Sequence, residues 1–159
     1  MPKIKIKALV MDVDGTLTDG KVYMGVSGEI MKAFDIKDGY MIARLSTYDI
    51  IPIIITGRKS NILINRCKEL NIRELHQGVQ KKLNCLNQIL QAHKLDLTEV
   101  AYIGDDINDK ECIDACGLTG CPADAVLAIR QCVDYICCNK GGDGAVREFI
   151  EYIINNNNK

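Results

Sequence analysis

Leu9-Val-Met-Asp-Val-Asp-Gly-Thr-Leu-Thr18 is the stretch on which the reading of this chain turns. An apolar run, Ala8 to Met11, delivers two carboxylates, Asp12 and Asp14, to a turn at Gly15, and the hydroxyls of Thr16 and Thr18 follow at once. Side chains alternate along a strand with period two, so acids at 12 and 14 leave its C-terminal end on the same side. Two negative charges that close need a cation or a shared proton. The stretch therefore predicts a metal-assisted site with one acid free to attack or to move protons. By itself the pattern also suits a plain turn held by aspartate hydrogen bonds, so the rest of the chain must supply the other parts.

Working outward, Lys3 to Val13 reads as a first strand whose continuous apolar core suits a parallel sheet buried on both faces. Lys21-Val-Tyr-Met24 and Glu29 to Phe34 flank Gly25-Val-Ser-Gly28, a hairpin signal over about 20–35 that interrupts the first crossover. Asp38 reads as a helix N-cap ahead of Met41, Ile42 and Leu45. Ile50 to Ile55 is a second buried strand ending at Thr56-Gly57-Arg58, and Ser60 caps the next helix. A short strand at 73–76 and a helix at 81–93 follow. Glu99 to Ile103 is the third strong strand, ending at Gly104-Asp105-Asp106-Ile-Asn-Asp109. A helix at 110–116, a strand at 118–121, a helix at 123–131, a strand at 135–137 and a helix at 145–154 continue the pattern. Residues 155–159 form a polar tail expected to be disordered. Strands alternating with helices predict a single α/β domain over 1–154 with a largely parallel sheet. Ligands of such sheets bind at the strands' carboxyl ends, where every suggestive cluster here falls.

With 159 residues, 47% hydrophobic and 26% charged, the chain has the balance of one globular domain. A net charge of -1 and the absence of Trp argue against nucleic acid and against an anionic membrane surface. The longest apolar run, Ile50 to Ile55, is far shorter than the ~20 residues of a membrane helix, and the basic start has no signal-peptide core. A cytoplasmic protein is expected. The eight cysteines form no C-x-x-C pair and read as reduced buried thiols. A zinc site around Cys112 and Cys116, which would share a helix face, is the alternative.

Thr56-Gly57 is a common strand-to-helix turn, Asp105-Asp106 suits a helix start, and Lys82 alone is an ordinary helix residue. Together and in this order they fit phosphoryl transfer. A carboxylate can attack phosphorus, acids can hold a divalent cation that neutralises phosphate, and a hydroxyl, a backbone N–H and a lysine can hold the spreading equatorial charge. A second acid then protonates the leaving oxygen and later activates water.

These motifs resemble the four motifs of the haloacid dehalogenase superfamily of phosphatases, across nearly the whole chain. The resemblance implies a Rossmann-like three-layer fold and Mg2+ as cofactor. It makes Asp12 the nucleophile and a metal ligand, and Asp14 the general acid/base, with its backbone carbonyl a second ligand. It assigns Thr56 and Lys82 to the phosphate, Asp105 to the metal, and Asp106 and Asp109 to supporting roles. About 40 residues between Asp14 and Thr56 and about 20 between Lys82 and Asp105 leave no room for a ~50-residue cap domain. The site then needs a macromolecular substrate or a lid from another subunit, and the hairpin, with Val22, Met24, Val26 and Met31, is the candidate interface. Thr18-Asp19-Gly20, Thr56 to Lys59, Arg66-Cys67, Gln77-Gly78, Ala101 to Asp106 and Gly141 to Glu148 are similar to the cap-less sugar-acid phosphatases of the superfamily. That subfamily implies a homotetramer, a role in lipopolysaccharide synthesis, and a small sugar-acid phosphate as substrate, bound through Thr56, Gly57, Arg58, Arg66 and Lys82. Arg58 and Arg66 would clamp its carboxylate. Arg58, where the nine-carbon enzymes tend to carry Glu, favours the eight-carbon 3-deoxy-D-manno-octulosonate (KDO) 8-phosphate over a nine-carbon 9-phosphate. A catalytically silent oligomerisation module is the alternative of another class.

Overall fold

A computed structural model describes residues 4–159. The first strand expected from Lys3 is shorter, β1 at Ala8–Met11, and Lys3 itself lies outside the described residues. The hairpin follows as β2 (Tyr23–Gly25) and β3 (Gly28–Met31), an antiparallel pair separate from the main sheet. Then come α1 (Ile36–Ile42), β4 (Ile51–Ile55), α2 (Asn61–Glu69), β5 (Glu74–His76), α3 (Lys82–His93) and β6 (Val100–Ile103). The last third adds α4 (Lys110–Ala115), β7 (Leu118–Cys121), α5 (Leu127–Arg130), β8 (Tyr135–Ile136) and α6 (Ala145–Asn157).

The main sheet runs β5-β4-β1-β6-β7-β8 and every pairing in it is parallel, with Ala8 opposite Ile51 on one side and Val100 on the other. Alternation along the strands sorts their side chains to two faces. Leu9, Met11, Ile54, Ala101 and Ile103 meet residues of α1, α2 and α6. Ala8, Val10, Ile53, Ile55, Val100 and Tyr102 meet residues of α3, α4 and α5. This is the expected three-layer arrangement. The chain leaves β1 toward β4 on one side and returns to β6 on the other, so β1 flanks the topological switch point where such sheets open a crevice.

Two expectations are corrected. The N-cap of α1 is Asp35, whose carboxylate accepts from Asp38 N; Asp38 sits in the first turn, buried, and accepts instead from Arg147 N across to α6 (2.8 Å). Either acid fits a cap by sequence, and the tertiary bond to Arg147 decides. Nor does the chain fray at 155, because α6 continues through Asn157. The Asn157 amide accepts from Ile6 N and donates to Ile6 O, both at 2.9 Å, giving the backbone just before β1 its two missing partners. Ser60 caps α2 as expected, accepting from Leu63 N. All eight cysteines are free thiols.

Candidate active site

β1 leads into Asp12, β4 into Thr56 and β6 into Gly104-Asp105, which puts three loops around one opening. The cleft between them, about 300 Å³, is lined by Asp12, Asp14, Thr56, Gly57, Arg58, Asp105, Asp106 and Asn108. A larger groove of about 920 Å³ lies where β4 and β5 begin, at the opposite end of the sheet, and holds none of these acids.

The turn after β1 is wound tightly on the carbonyl of Val13, which accepts from the backbone N–H groups of Thr16, Leu17 and Thr18. Gly15 takes a left-handed φ of +93°, and a Cβ there would run into the Asp105 carboxylate, so only glycine serves. Gly141 presses on the Gly15 carbonyl from the other side, again with no space for a Cβ, and Gly142 N donates to Thr16 O. The Thr18 hydroxyl accepts from Gly15 N and Gly20 N, and so serves the turn and not the cleft. The Thr16 hydroxyl donates to Asp105 Oδ1 (2.9 Å), tying the first loop to the third.

Behind Asp12 lies a buried charge cluster. Lys82, the first residue of α3, donates to Asp12 Oδ1 (2.9 Å) and Asp109 Oδ1 (2.8 Å); this places Lys82, and not its neighbour Lys81, in the site. Asp109 is fully buried and has four donors: Lys82, the Tyr102 hydroxyl (2.6 Å), Asp105 N (3.0 Å) and Asp106 N (3.3 Å). Burial pulls the Lys82 ammonium down, but Asp12 and Asp109 outweigh it and its pKa stands above the ordinary value. The ammonium lies behind Asp12 and does not line the cleft. Burial, then Asp109, push the Asp12 carboxyl up against the pull of Lys82. Burial, then Asp12, push Asp105 up likewise, against the hydrogen bond from Thr16.

Asp12, raised by burial and Asp109, and the half-buried Asp105, raised by burial and Asp12, form a site short of positive charge, and that chemistry suits a hard divalent cation with oxygen ligands. Among the described residues, the acids, histidines and cysteines close enough to share one ion are Asp12, Asp105 and Asp109; a cysteine zinc site is not formed. The donors already on Asp109 leave Asp12 and Asp105 as the carboxylates with capacity to spare.

The remaining expected residues divide. Thr56 is buried at the end of β4, its backbone bonded to His76 O and Val79 N, and with Gly57 it lines the cleft. Arg58 also lines it, with Nε 3.9 Å from Asp14 Oδ2. Asp106 caps the short turn Ile107–Asp109 and is exposed at the rim. Arg66 departs from expectation: its guanidinium bonds Asp35 O and Glu69 and lies over the Phe34 ring, away from the cleft of this chain. Its position on α2 turns it toward α1, where it joins the two helices. Two contributors carry no signal in the sequence: Tyr102, whose hydroxyl reaches Asp109, and Lys32, which donates to Asp14 Oδ1 at 2.6 Å. The Thr16 hydroxyl, noted beside the acids, is tied to Asp105 and so joins two loops.

A sequence profile described as haloacid dehalogenase-like hydrolase matches residues 74–150. The 3-deoxy-D-manno-octulosonate 8-phosphate phosphatase KdsC of Escherichia coli (strain K12) is 41% identical over 149 residues, 94% of this chain and 79% of that protein. The crystal structure of the corresponding phosphatase from Yersinia pestis superposes with a TM-score of 0.94 at 40% identity, covering 99% of this chain and 85% of that one. The enzyme from Moraxella catarrhalis, solved with magnesium ion, phosphate ion and KDO, superposes with a TM-score of 0.92 at 38% identity over 96% of this chain and 88% of that one. With its acids, lysine and threonine gathered at the switch point of the same fold, the chain belongs to the 3-deoxy-D-manno-octulosonate 8-phosphate phosphatase family of haloacid dehalogenase-like hydrolases.

Proposed function

We propose that this protein is a Mg2+-dependent phosphomonoesterase that hydrolyses KDO 8-phosphate to KDO and phosphate, acting as a homotetramer in the cytoplasm. The observation that carries the chemistry is the position of Asp12, which lines the cleft while Lys82 holds its Oδ1 from behind. Its carboxylate attacks phosphorus, the bond from phosphorus to the sugar oxygen breaks, and Asp14 gives that oxygen its proton. Asp14 then takes a proton from the water that attacks the aspartyl-phosphate, which restores Asp12 and releases phosphate. Asp12, Asp105 and the Asp14 carbonyl would hold Mg2+, which supplies charge neutralisation for the phosphate and the acids when bound. Thr56 and Lys82 stabilise the phosphate end, the latter through Asp12, while Asp109 fixes Lys82 and Asp106 shapes the third loop. Arg58, at the cleft wall, suits the sugar carboxylate, for which a guanidinium is a bidentate partner.

An open cleft of this size is wet, which weakens electrostatic catalysis and calls for a lid. The hairpin supports its provision by a second copy, because Met24, Val26, Ile30 and Met31 are all exposed on it. No helix among the described residues is long and apolar enough to cross a membrane. The deciding assay is magnesium-dependent phosphate release from KDO 8-phosphate beside nine-carbon sugar-acid 9-phosphates. Faster release from the eight-carbon ester, abolished by Asp12→Asn, is expected. Preference for a nine-carbon ester overturns the substrate, and no turnover of any ester with magnesium bound indicates the silent module.

A further inference from the structure

Lys32 follows β3 on a hairpin whose apolar side chains are largely exposed, yet its own side chain is only 2% exposed. Its ammonium lies 2.6 Å from Asp14 Oδ1 and 2.7 Å from Glu29 Oε1, so one lysine is held between two carboxylates, the nearer of them 18 residues away in sequence. Fixing so long a side chain costs about 1.5–2 kcal/mol of rotamer freedom, and the tie joins the separate hairpin to the turn after β1. What the arrangement does achieve is to fix a carboxylate that otherwise turns freely at the end of a tight turn. With Oδ1 taken by Lys32, Oδ2 is left facing Arg58 across the cleft, 3.9 Å away. We propose that Lys32 is a positioning residue for the acid–base step: its ammonium, anchored by Glu29, locks the Asp14 carboxylate so that Oδ2 meets the leaving oxygen and then the attacking water. This rests on the function proposed above. It also makes the hairpin part of the machinery, since any shift of β3 moves the group that aims Asp14.

Lys32→Met keeps the stem and removes the charge; Lys32→Arg keeps a cation, and Glu29→Gln weakens only the anchor. For the sugar phosphate, Lys32→Met is expected to lower kcat by about 30- to 100-fold, up to the lower end of the range for acid–base groups because Asp14 itself remains, and to change KM by less than about threefold. Lys32→Arg should recover part of that loss and Glu29→Gln should lose less than about tenfold. p-Nitrophenyl phosphate separates aiming from general damage, because its leaving group departs without a proton while hydrolysis of the aspartyl-phosphate still needs Asp14. Lys32→Met should therefore release one equivalent of nitrophenol per site at close to the wild-type rate and then turn over slowly. In magnesium-free protein, amide hydrogen exchange at residues 29–32 should rise several-fold in both Lys32→Met and Asp14→Asn, since each breaks the same tie. The proposal is overturned if Lys32→Met turns over within twofold of wild type, if burst and turnover slow by one common factor, or if Asp14→Asn leaves the exchange unchanged. A wild-type protein inactive on both esters overturns the functional reading first and this one with it.

Discussion

Tyr102→Phe removes a single hydroxyl and leaves the packing of β6 otherwise as it is. The ring is fully buried, and its hydroxyl donates to Asp109 Oδ1 at 2.6 Å. Burial, then Asp109, hold the phenol well above its ordinary pKa, so it is a neutral donor at any assay pH near 8. A hydrogen bond to a charged acceptor contributes about 1.5–3 kcal/mol. Asp109 Oδ1 keeps Lys82 and is not orphaned, so the loss falls in the middle of that range, about 2 kcal/mol. For a chain of this size that lowers Tm by about 4–8 °C and the urea midpoint by about 1 M. Tyr135→Phe is the control: its hydroxyl donates to Glu148 at 2.9 Å from a half-buried position, where water can replace the phenol, and its loss should stay below about 1 kcal/mol. Equilibrium urea unfolding of both variants checks the comparison. A Tyr102→Phe loss under about 0.5 kcal/mol, or one no larger than that of Tyr135→Phe, refutes the view that Asp109 is a hub whose donors each matter.

Three further outcomes are expected. Burial lifts the Asp38 carboxyl to about 6, with the Arg147 N–H opposing and Asp35 adding; the folded state then binds that proton more tightly than the unfolded chain, so stability falls as pH rises from about 4 to 6 and is level above. Asp38→Asn keeps an acceptor for Arg147 N without the charge and should gain about 1–2 kcal/mol at pH 8 in thermal melts, with a flatter pH profile; a variant less stable than wild type there refutes it. Because burial pushes both Asp12 and Asp105 up, with Asp109 adding to the first and Asp12 to the second, magnesium must displace protons. Its stabilisation, about 2.7 kcal/mol at a concentration of 100 Kd, should therefore need less metal at pH 8 than at pH 6 and vanish in Asp105→Asn, by calorimetry. Met24→Asp on the exposed hairpin should lower the mass seen by light scattering without changing the far-ultraviolet circular dichroism; an unchanged mass counts against the hairpin interface.

The parts of the site legible in the sequence are those whose chemistry is local. Asp12 and Asp14 declare themselves because an apolar run delivers two acids to a glycine turn, and Asp105, Asp106 and Asp109 because they crowd one strand end. The order of elements, from three apolar strands and the helices between them, predicts the parallel sheet and places those clusters on one edge. What stayed hidden was pairwise and distant. Nothing near Lys32 signals that it will meet Asp14, and nothing near Tyr102 distinguishes its hydroxyl from solvent-facing ones, since each partner is set by the fold alone. Arg66 shows the reverse error, a side chain of suitable chemistry at a plausible spacing that the helix turns toward Asp35. In the same way Asp35 and Asp38 are equally good caps on paper, and the polar run after Ile154 hides an asparagine that clasps Ile6.

Gly141 and Gly142, pressed against the turn at Gly15, set an order of events for synthesis. Asp12 precedes the floor under its loop by well over a hundred residues, and that floor follows every other contributor from Lys32 to Asp109 along the chain. A nascent chain lacking that segment holds its acids on an unsupported turn. The loop after β1 therefore takes its shape only once Gly141 and Gly142 are in place, and a fragment ending before Gly141 would carry every acid of the cleft without the backbone that shapes it.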